Sequence, residues 1–127
     1  MIVLLRNPID RAYSHYWREI KKGRETLSFE EAIKIEKSRL KKEIEKILEN
    51  GHYVSFNFIH YSYLTRGIYV EQLKRWFKYF PKHQFLILCS EEFYSNPEEK
   101  YKEVLNFLKL PSFKLKNTLY ILKANIL

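Results

Sequence analysis

Two short apolar runs stand out in the pattern of hydrophobic and polar positions. Ile2–Leu5 and Phe85–Cys89 contain no charged or amide residue and show no alternation. Such runs are typical of strands covered on both faces, as in a parallel sheet. The segment between them follows helical spacing, and strands joined by helical connections pair in parallel. The pattern therefore predicts an α/β chain, mostly helical, with about two short parallel strands.

A helix is predicted directly after the first run, from Pro8 to Lys22. Asn7 suits the N-cap, Pro8 suits the first helical position, and Gly23 suits the end of the helix. Residues spaced three or four apart predict its buried face: Ile9, Ala12, Tyr13, Tyr16, Trp17 and Ile20. Ser14 lies off this stripe and is predicted to face away from the core.

A second helical segment is predicted from Ser28 to about Asn50. Ser28 and Glu31 have the spacing of a capping box. A break is expected near residues 36–38. The dense mixture of Lys and Glu in this segment predicts a face exposed to solvent rather than a functional site.

The remaining segments are less regular. Residues 52–65 predict a loop with a short helix, and Asn96-Pro97 is predicted to cap and begin a helix that runs to about Leu108. Tyr69–Tyr79 predicts an amphipathic helix, whose inward residues would be Val70, Leu73, Trp76, Phe77 and Phe80.

Composition and charge narrow the possible partners. The 127 residues, 46% of them hydrophobic, suffice for one domain with a core. Lys and Arg number 23 against 15 Asp and Glu, which gives a net charge of +8. This favours nucleotides, sulfated or phosphorylated substrates, nucleic acid or acidic membranes. A merely lysine-rich surface explains the charge equally well, so both interpretations stay open.

Cysteine and histidine usage suggests no further chemistry. Cys89 is the single cysteine, which excludes an internal disulfide and fits a reducing, cytoplasmic compartment. Its apolar surroundings predict a buried, inert thiol. The histidines have no partner at metal-ligand spacing, so no metal site is predicted. No apolar run reaches the length of a membrane span.

The junction between the first strand and the first helix is the candidate binding site. Arg6 follows the strand, and Ser14 lies eight residues later on the helix. Anions bind outside the carboxyl ends of strands and beside helix N-termini, where a guanidinium and a hydroxyl can both donate. The alternative is that Arg6 pairs with Asp10 and Ser14 is an ordinary surface residue.

Several motifs, taken in order, resemble one family. The run Leu5–Tyr16 resembles the 3′-phosphate-binding motif of sulfotransferases that use 3′-phosphoadenosine 5′-phosphosulfate (PAPS). Leu64–Pro81, with its Arg-Gly-x-Tyr, Arg-Trp and Phe-Pro pairs, resembles a segment of the heparan-sulfate-type and bacterial members. Ser90-Glu91-Glu92-Phe93 and Phe107–Pro111 resemble the next segment of those members. The resemblance covers residues 1–111 of a partial domain spanning 1–127, and residues 112–127 form a divergent tail.

The resemblance implies a P-loop-like sulfotransferase fold and PAPS as co-substrate, without a metal. Arg6 and Ser14 match the residues that grip the 3′-phosphate. Arg66 and Tyr69 are expected to line the acceptor or nucleotide cleft; equally, Tyr69 could be core and Arg66 a solvated turn residue. The acceptor is unknown, with a carbohydrate favoured.

Three features of the family have no match in this sequence. The Gly- and Lys-containing loop around the 5′-phosphosulfate is missing, together with the catalytic base that follows it, and so is the C-terminal loop that closes over the nucleotide. We therefore expect a truncated domain in which no residue is assigned a catalytic role. His15 is predicted to pack or face solvent rather than act as a base. The isolated chain is expected to be inactive.

The alternative is a non-enzymatic, basic helical module that binds nucleic acid or other anions. The net charge and the many aromatic residues favour it. However, the aromatic residues fall on buried stripes and the lysines alternate with glutamates, which argues against nucleic acid.

Overall fold

The computed structural model describes residues 1–113. The described chain forms two strands, seven α-helices and two 3-10 turns. In order these are β1 (Ile2–Leu5), α1 (Pro8–Lys21), α2 (Phe29–Arg39), α3 (Glu43–Glu49), α4 (Phe56–Tyr61), a 3-10 turn (Thr65–Gly67), α5 (Tyr69–Trp76), a second 3-10 turn (Lys82–Gln84), β2 (Leu86–Cys89), α6 (Ser90–Ser95) and α7 (Pro97–Phe107). None of these helices is long and apolar enough to cross a membrane.

The chain divides into two compact units. The first contains residues 1–7 and the described residues from Trp76 onward, and the second contains Pro8–Arg75. The first unit carries the sheet, in which β1 and β2 pair in parallel from Ile2 opposite Leu86 to Leu5 opposite Cys89. The prediction of a mostly helical chain with two short parallel strands is confirmed.

The prediction that both strands are buried on both faces is wrong for the described residues. Ile2, Leu4 and Ile87 are 42%, 45% and 43% exposed, and only Leu88 is buried. A two-stranded sheet has too few neighbours to cover both of its faces. Cys89 was predicted to be buried and is instead exposed, because it ends β2 where the chain turns into α6.

The predicted buried face of α1 is only partly correct. Ala12 and Tyr16 are in the core, but Ile9, Tyr13 and Trp17 are exposed, Ile9 by 71%. The inward stripe is completed by two polar residues that sequence patterns assign to solvent, His15 and Glu19. The core of the second unit joins α1, α2 and the chain after α4: Ala12, Tyr16, Ala32 and Tyr63, with Ile20, Leu27, Phe29, Ile33 and Tyr61 packed against them.

The capping box at the start of α2 is confirmed, because the Ser28 hydroxyl accepts from the Glu31 N–H while the Glu31 carboxylate accepts from the Ser28 N–H. The break lies later than predicted, between α2 and α3, where Lys42 adopts a left-handed conformation with φ 63°. The prediction of a solvated Lys/Glu face fails at Glu36 and Glu43. Both carboxylates are buried because hydrogen-bond donors from other segments surround them.

The later helices differ from the predictions mainly at their ends. α5 ends at Trp76 rather than Tyr79, and Val70, Trp76 and Phe80 are exposed rather than inward-facing. α6 was not predicted, and the Asn96 side chain does not cap α7. The predicted divergent tail falls largely on residues 114–127, outside the described residues.

Candidate functional site

Arg6 lies in the first unit at the carboxyl end of β1, exposed to solvent. The next residue, Asn7, donates its backbone N–H to Glu91 Oε1 at 2.9 Å. The same carboxylate accepts from Cys89 Sγ at 2.9 Å and from Ser90 Oγ at 3.1 Å. These hydrogen bonds, from Cys89 and then Asn7, lower the pKa of Glu91 to about 2. An ionised carboxylate therefore fixes the backbone directly after Arg6.

Ser14 lies in the second unit, on the exposed side of α1 and opposite the face that packs into the core. Its helix begins at Pro8, with Asp10 in the first turn. The predicted orientation of Ser14 away from the core is therefore confirmed. Ser14 as a whole is exposed to solvent.

Arg66 and Tyr69 lie in the second unit, close to α1. Arg66 sits in the first 3-10 turn, and its Nη2 donates to the Phe58 carbonyl oxygen at 3.2 Å. Tyr69 begins α5 and interacts electrostatically with Arg11 of α1, as does Arg66. Burial lowers the pKa of both guanidinium groups. Arg66 is thus anchored to the backbone of α4 and is not a solvated turn residue.

Arg11 holds the chain between α4 and the first 3-10 turn. Its Nη2 donates to the Ser62 carbonyl oxygen at 3.3 Å and also to the Tyr63 carbonyl oxygen. On the other side of the turn, the Glu36 carboxylate accepts the backbone N–H groups of Leu64 and Thr65, each at 2.7 Å. The turn that carries Arg66 is therefore fixed by the partly buried cation of Arg11 and the buried carboxylate of Glu36.

His15 is buried beside Glu19, one helical turn further along α1. Its Nε2 lies 3.6 Å from Glu19 Oε1, and neither ring nitrogen has a hydrogen-bond partner. Burial, followed by the positive charges of Arg18 and Arg11, lowers the pKa of His15 to about 4. The ring is therefore neutral at pH 7, and it packs against Tyr63 in the core, as the packing role predicted for it requires.

Glu25 joins three parts of the second unit. It is buried and accepts from the Arg39 guanidinium, from Tyr63 Oη at 2.9 Å and from the Thr26 N–H at 3.0 Å. Burial acts to raise the pKa of Glu25, but these donors, led by Arg39, outweigh it and lower the pKa to about 2.

Within the part of the chain that the structure describes, no group of three or more His, Cys, Asp or Glu side chains could hold a metal ion.

Sequence reasoning missed the residues that support the candidate site residues: Glu91, Arg11 and Glu36. For Glu91 the strand register is a signal. Leu5 pairs with Cys89 in the sheet, and Asn7 and Glu91 each follow two residues after this pair. Arg11 and Glu36 have no local signal. Their partners are separated from them by 28 residues or more along the chain.

Comparison with known proteins establishes the family. A model of the sulfotransferase domain matches residues 1–122 of the chain. The chain belongs to the sulfotransferase domain family. The crystal structure of a sulfotransferase from Alicyclobacillus acidocaldarius superposes with a TM-score of 0.57 at 28% identity, covering 98% of this chain and 50% of that one. The similarity confirms the predicted sulfotransferase fold.

The curated relatives include enzymes named for a carbohydrate substrate. Heparan sulfate glucosamine 3-O-sulfotransferase 5 of Mus musculus is 27% identical over 135 residues, covering 100% of this chain and 36% of the relative. Heparan sulfate glucosamine 3-O-sulfotransferase 6 of Homo sapiens is 28% identical over 110 residues, covering 87% of this chain and 28% of the relative. This sulfotransferase chain therefore spans about a third of the length of these relatives.

Proposed function

We propose that this chain binds the 3′-phosphate of PAPS through Arg6 and Ser14, as part of a sulfotransferase that transfers a sulfuryl group to a hydroxyl or amine. The observation that carries the proposal is the match to the sulfotransferase domain over residues 1–122, which includes both positions. Arg6 and Ser14 are each exposed. Because Glu91 already occupies the Asn7 N–H, the two side chains, rather than this amide, would donate to the phosphate.

The chemistry of these groups suits a phosphate ligand. A guanidinium offers a fork of N–H donors that matches phosphate oxygens, and charge-assisted bonds of this kind contribute about 1.5–3 kcal/mol each. The net charge of +8 attracts a polyanionic nucleotide over a longer range. Arg66 and Tyr69 are proposed to line the cleft beside this site.

The proposal is tested by calorimetric titration with 3′-phosphoadenosine 5′-phosphate and with adenosine 5′-phosphate, which lacks the 3′-phosphate. Arg6→Ala is expected to weaken binding of the first nucleotide about 10- to 100-fold and to leave the second unchanged. Ser14→Ala is expected to weaken the first about 3- to 10-fold. Arg75→Ala removes the same charge from an exposed position on α5 and is expected to change neither.

Two outcomes would contradict the proposal: equal losses for both nucleotides in Arg6→Ala, or no loss for either. Tight binding to a panel of nucleic acids without any preference for the 3′-phosphate would instead support the alternative of a basic nucleic-acid-binding module. Lys and Glu alternate along α2 and α3, and this argues against such a module.

A cytoplasmic location remains a prediction from the single cysteine.

We further propose a carbohydrate acceptor, because the relatives above are named for glucosamine of heparan sulfate. Heparan sulfate oligosaccharides are expected to bind the chain more tightly than chondroitin sulfate of equal charge density. Equal affinity for the two polymers would show a merely electrostatic attraction and would contradict this acceptor class.

A further inference from the structure

An open groove of about 780 Å³ lies within the second unit, and none of the four predicted site residues is among the residues that line it. It runs along α2 and past the break between α2 and α3, and it reaches Leu64 and Thr65. Its volume lies in the range of sites that hold small organic ligands, about 300–1,000 Å³. The residues that line it are Ile33, Lys34, Glu36, Lys37, Ser38, Leu40, Lys41, Ile44, Leu64 and Thr65.

The floor of the groove is apolar. Ile33, Leu40, Ile44 and Leu64 come from α2, its end, α3 and the chain before the first 3-10 turn. Leu64 is 48% exposed and Ile44 is 37% exposed. Covering such surface with a hydrocarbon group is favourable at about 25 cal/mol per Å². The groove therefore favours a ligand with an apolar body.

The rim of the groove is positively charged. Lys34 and Lys37 are exposed and lie three residues apart on α2, which places them on one side of that helix. Lys41 is also exposed and lines the same groove from the turn that follows α2. The lysine ion pairs of the described residues involve Lys46, Lys74 and Lys100 instead. None of these three ammonium groups forms an ion pair with a carboxylate of residues 1–113. Lys34 does interact with Glu31, whose pKa is lowered first by its hydrogen bonds from Ser28 and then by this charge.

The acidic residue in the lining does not cancel this charge at the rim. Glu36 is buried, and its two carboxylate oxygens each accept a backbone N–H at 2.7 Å, one from Leu64 and one from Thr65. Its hydrogen bonds are therefore directed to the protein rather than to the rim. Ser38 likewise donates its hydroxyl to the Ile35 carbonyl oxygen at 2.7 Å.

We propose that this groove binds an amphiphilic anion, a carboxylate or sulfate group on a hydrocarbon body. The acid group would pair with the lysines of the rim while the hydrocarbon covers the apolar floor. Residues 114–127 do not supply this chemistry, because they contain three lysines and no acidic residue. A second copy is disfavoured by charge, because each chain carries +8. The groove shares no lining residue with the nucleotide site proposed above, and binding to it requires no nucleotide.

The test uses the full 127-residue chain, titrated calorimetrically with decanoate and with decyl sulfate below their micelle concentrations. Binding of either anion is expected, and the ratio of the two affinities identifies the preferred acid group. Decyltrimethylammonium, which has the same hydrocarbon body and the opposite charge, is expected not to bind. In methyl NMR spectra the signals of Ile33 and Ile44 should shift on binding, while that of Ile87 in β2 should not.

Variants separate the rim from the floor. The triple variant Lys34→Gln, Lys37→Gln and Lys41→Gln is expected to weaken binding at least fivefold. The control triple Lys22→Gln, Lys78→Gln and Lys102→Gln removes equal charge from exposed positions outside the groove and should change affinity less than twofold. Ile44→Ser is expected to weaken binding about fivefold through the floor.

The proposal is overturned if neither anion binds, if the cation binds as well as the anions, or if both triple variants lose affinity equally. Binding of an acidic amphipathic peptide without binding of decanoate or decyl sulfate would also overturn it, in favour of a protein partner. Circular dichroism of each variant before titration separates loss of the site from loss of the fold, and Ile44→Ser tests the groove even if the triple variant does not fold.

Discussion

Removal of the Glu36 carboxylate is expected to destabilise the second unit more than removal of any exposed carboxylate. Glu36 is buried on α2, and its two oxygens accept the N–H groups of Leu64 and Thr65 at 2.7 Å. In Glu36→Ala both N–H groups lose their acceptors in a partly buried setting. The turn that carries Arg66 loses its attachment to α2.

The magnitude follows from the two hydrogen bonds. A bond to a charged group contributes about 1.5–3 kcal/mol to stability, so Glu36→Ala is expected to cost about 3–6 kcal/mol. Glu36→Gln keeps one acceptor oxygen and places an N–H₂ group against the other amide, so about half of that loss is expected. The larger loss is a substantial part of the about 5–15 kcal/mol that stabilises a typical domain.

Urea unfolding at pH 7, followed by circular dichroism, measures this loss. With a slope of about 2 kcal/mol per molar urea, the midpoint should fall by about 1.5–3 M in Glu36→Ala. Hydrogen exchange at the Leu64 and Thr65 amides should become faster in the same variant. Glu45→Ala, on the exposed face of α3, is the matched control and should stay within about 0.5 kcal/mol of the parent. Equal losses in both variants, or unchanged exchange at the two amides, would refute the reasoning.

Three further predictions concern buried groups and one close contact. The pKa of Glu25 is about 2, against an ordinary 4.5, so the stability that its ionised form contributes is complete above pH 4.5 and is lost as the pH falls from 4.5 to 2. In Glu25→Gln the urea midpoint should therefore depend less on pH over that range. The pKa of His15 is about 4 in the folded chain, against an ordinary 6.5, so the unfolded chain binds a proton at this ring at a higher pH than the folded chain does. The free energy of unfolding should therefore fall as the pH drops from 6.5 to 4, and His15→Phe should remove that dependence. A Cβ at Gly67 would lie 3.0 Å from Pro8 Cβ, so Gly67→Ala should lower the free energy of unfolding by about 1–3 kcal/mol. A Cβ at Gly51 would have no atom within 4 Å, so the control Gly51→Ala should lower it by less than about 0.5 kcal/mol in the same urea assay.

Local patterns predicted the elements whose causes are local. The two strand segments, the start of α1 at Pro8 and the capping box at Ser28 each depend on residues within a few positions of one another. The burial of Glu36 and Glu43 could not be predicted in this way. A glutamate at a helix position is ordinarily solvated, and only the arrival of donors from later segments makes burial favourable.

The candidate site shows the same division between local and distant causes. Arg6 and Ser14 follow from a strand, a turn and a helix that are adjacent in sequence. The carboxylate that fixes Asn7 comes from Glu91, 84 residues away. Yet it was within reach of sequence reasoning, because the parallel register pairs Leu5 with Cys89, and continuing each strand by two residues brings Asn7 and Glu91 to the same edge. Predicting which strands pair is therefore insufficient; the register between them determines which side chains support the proposed phosphate-binding junction.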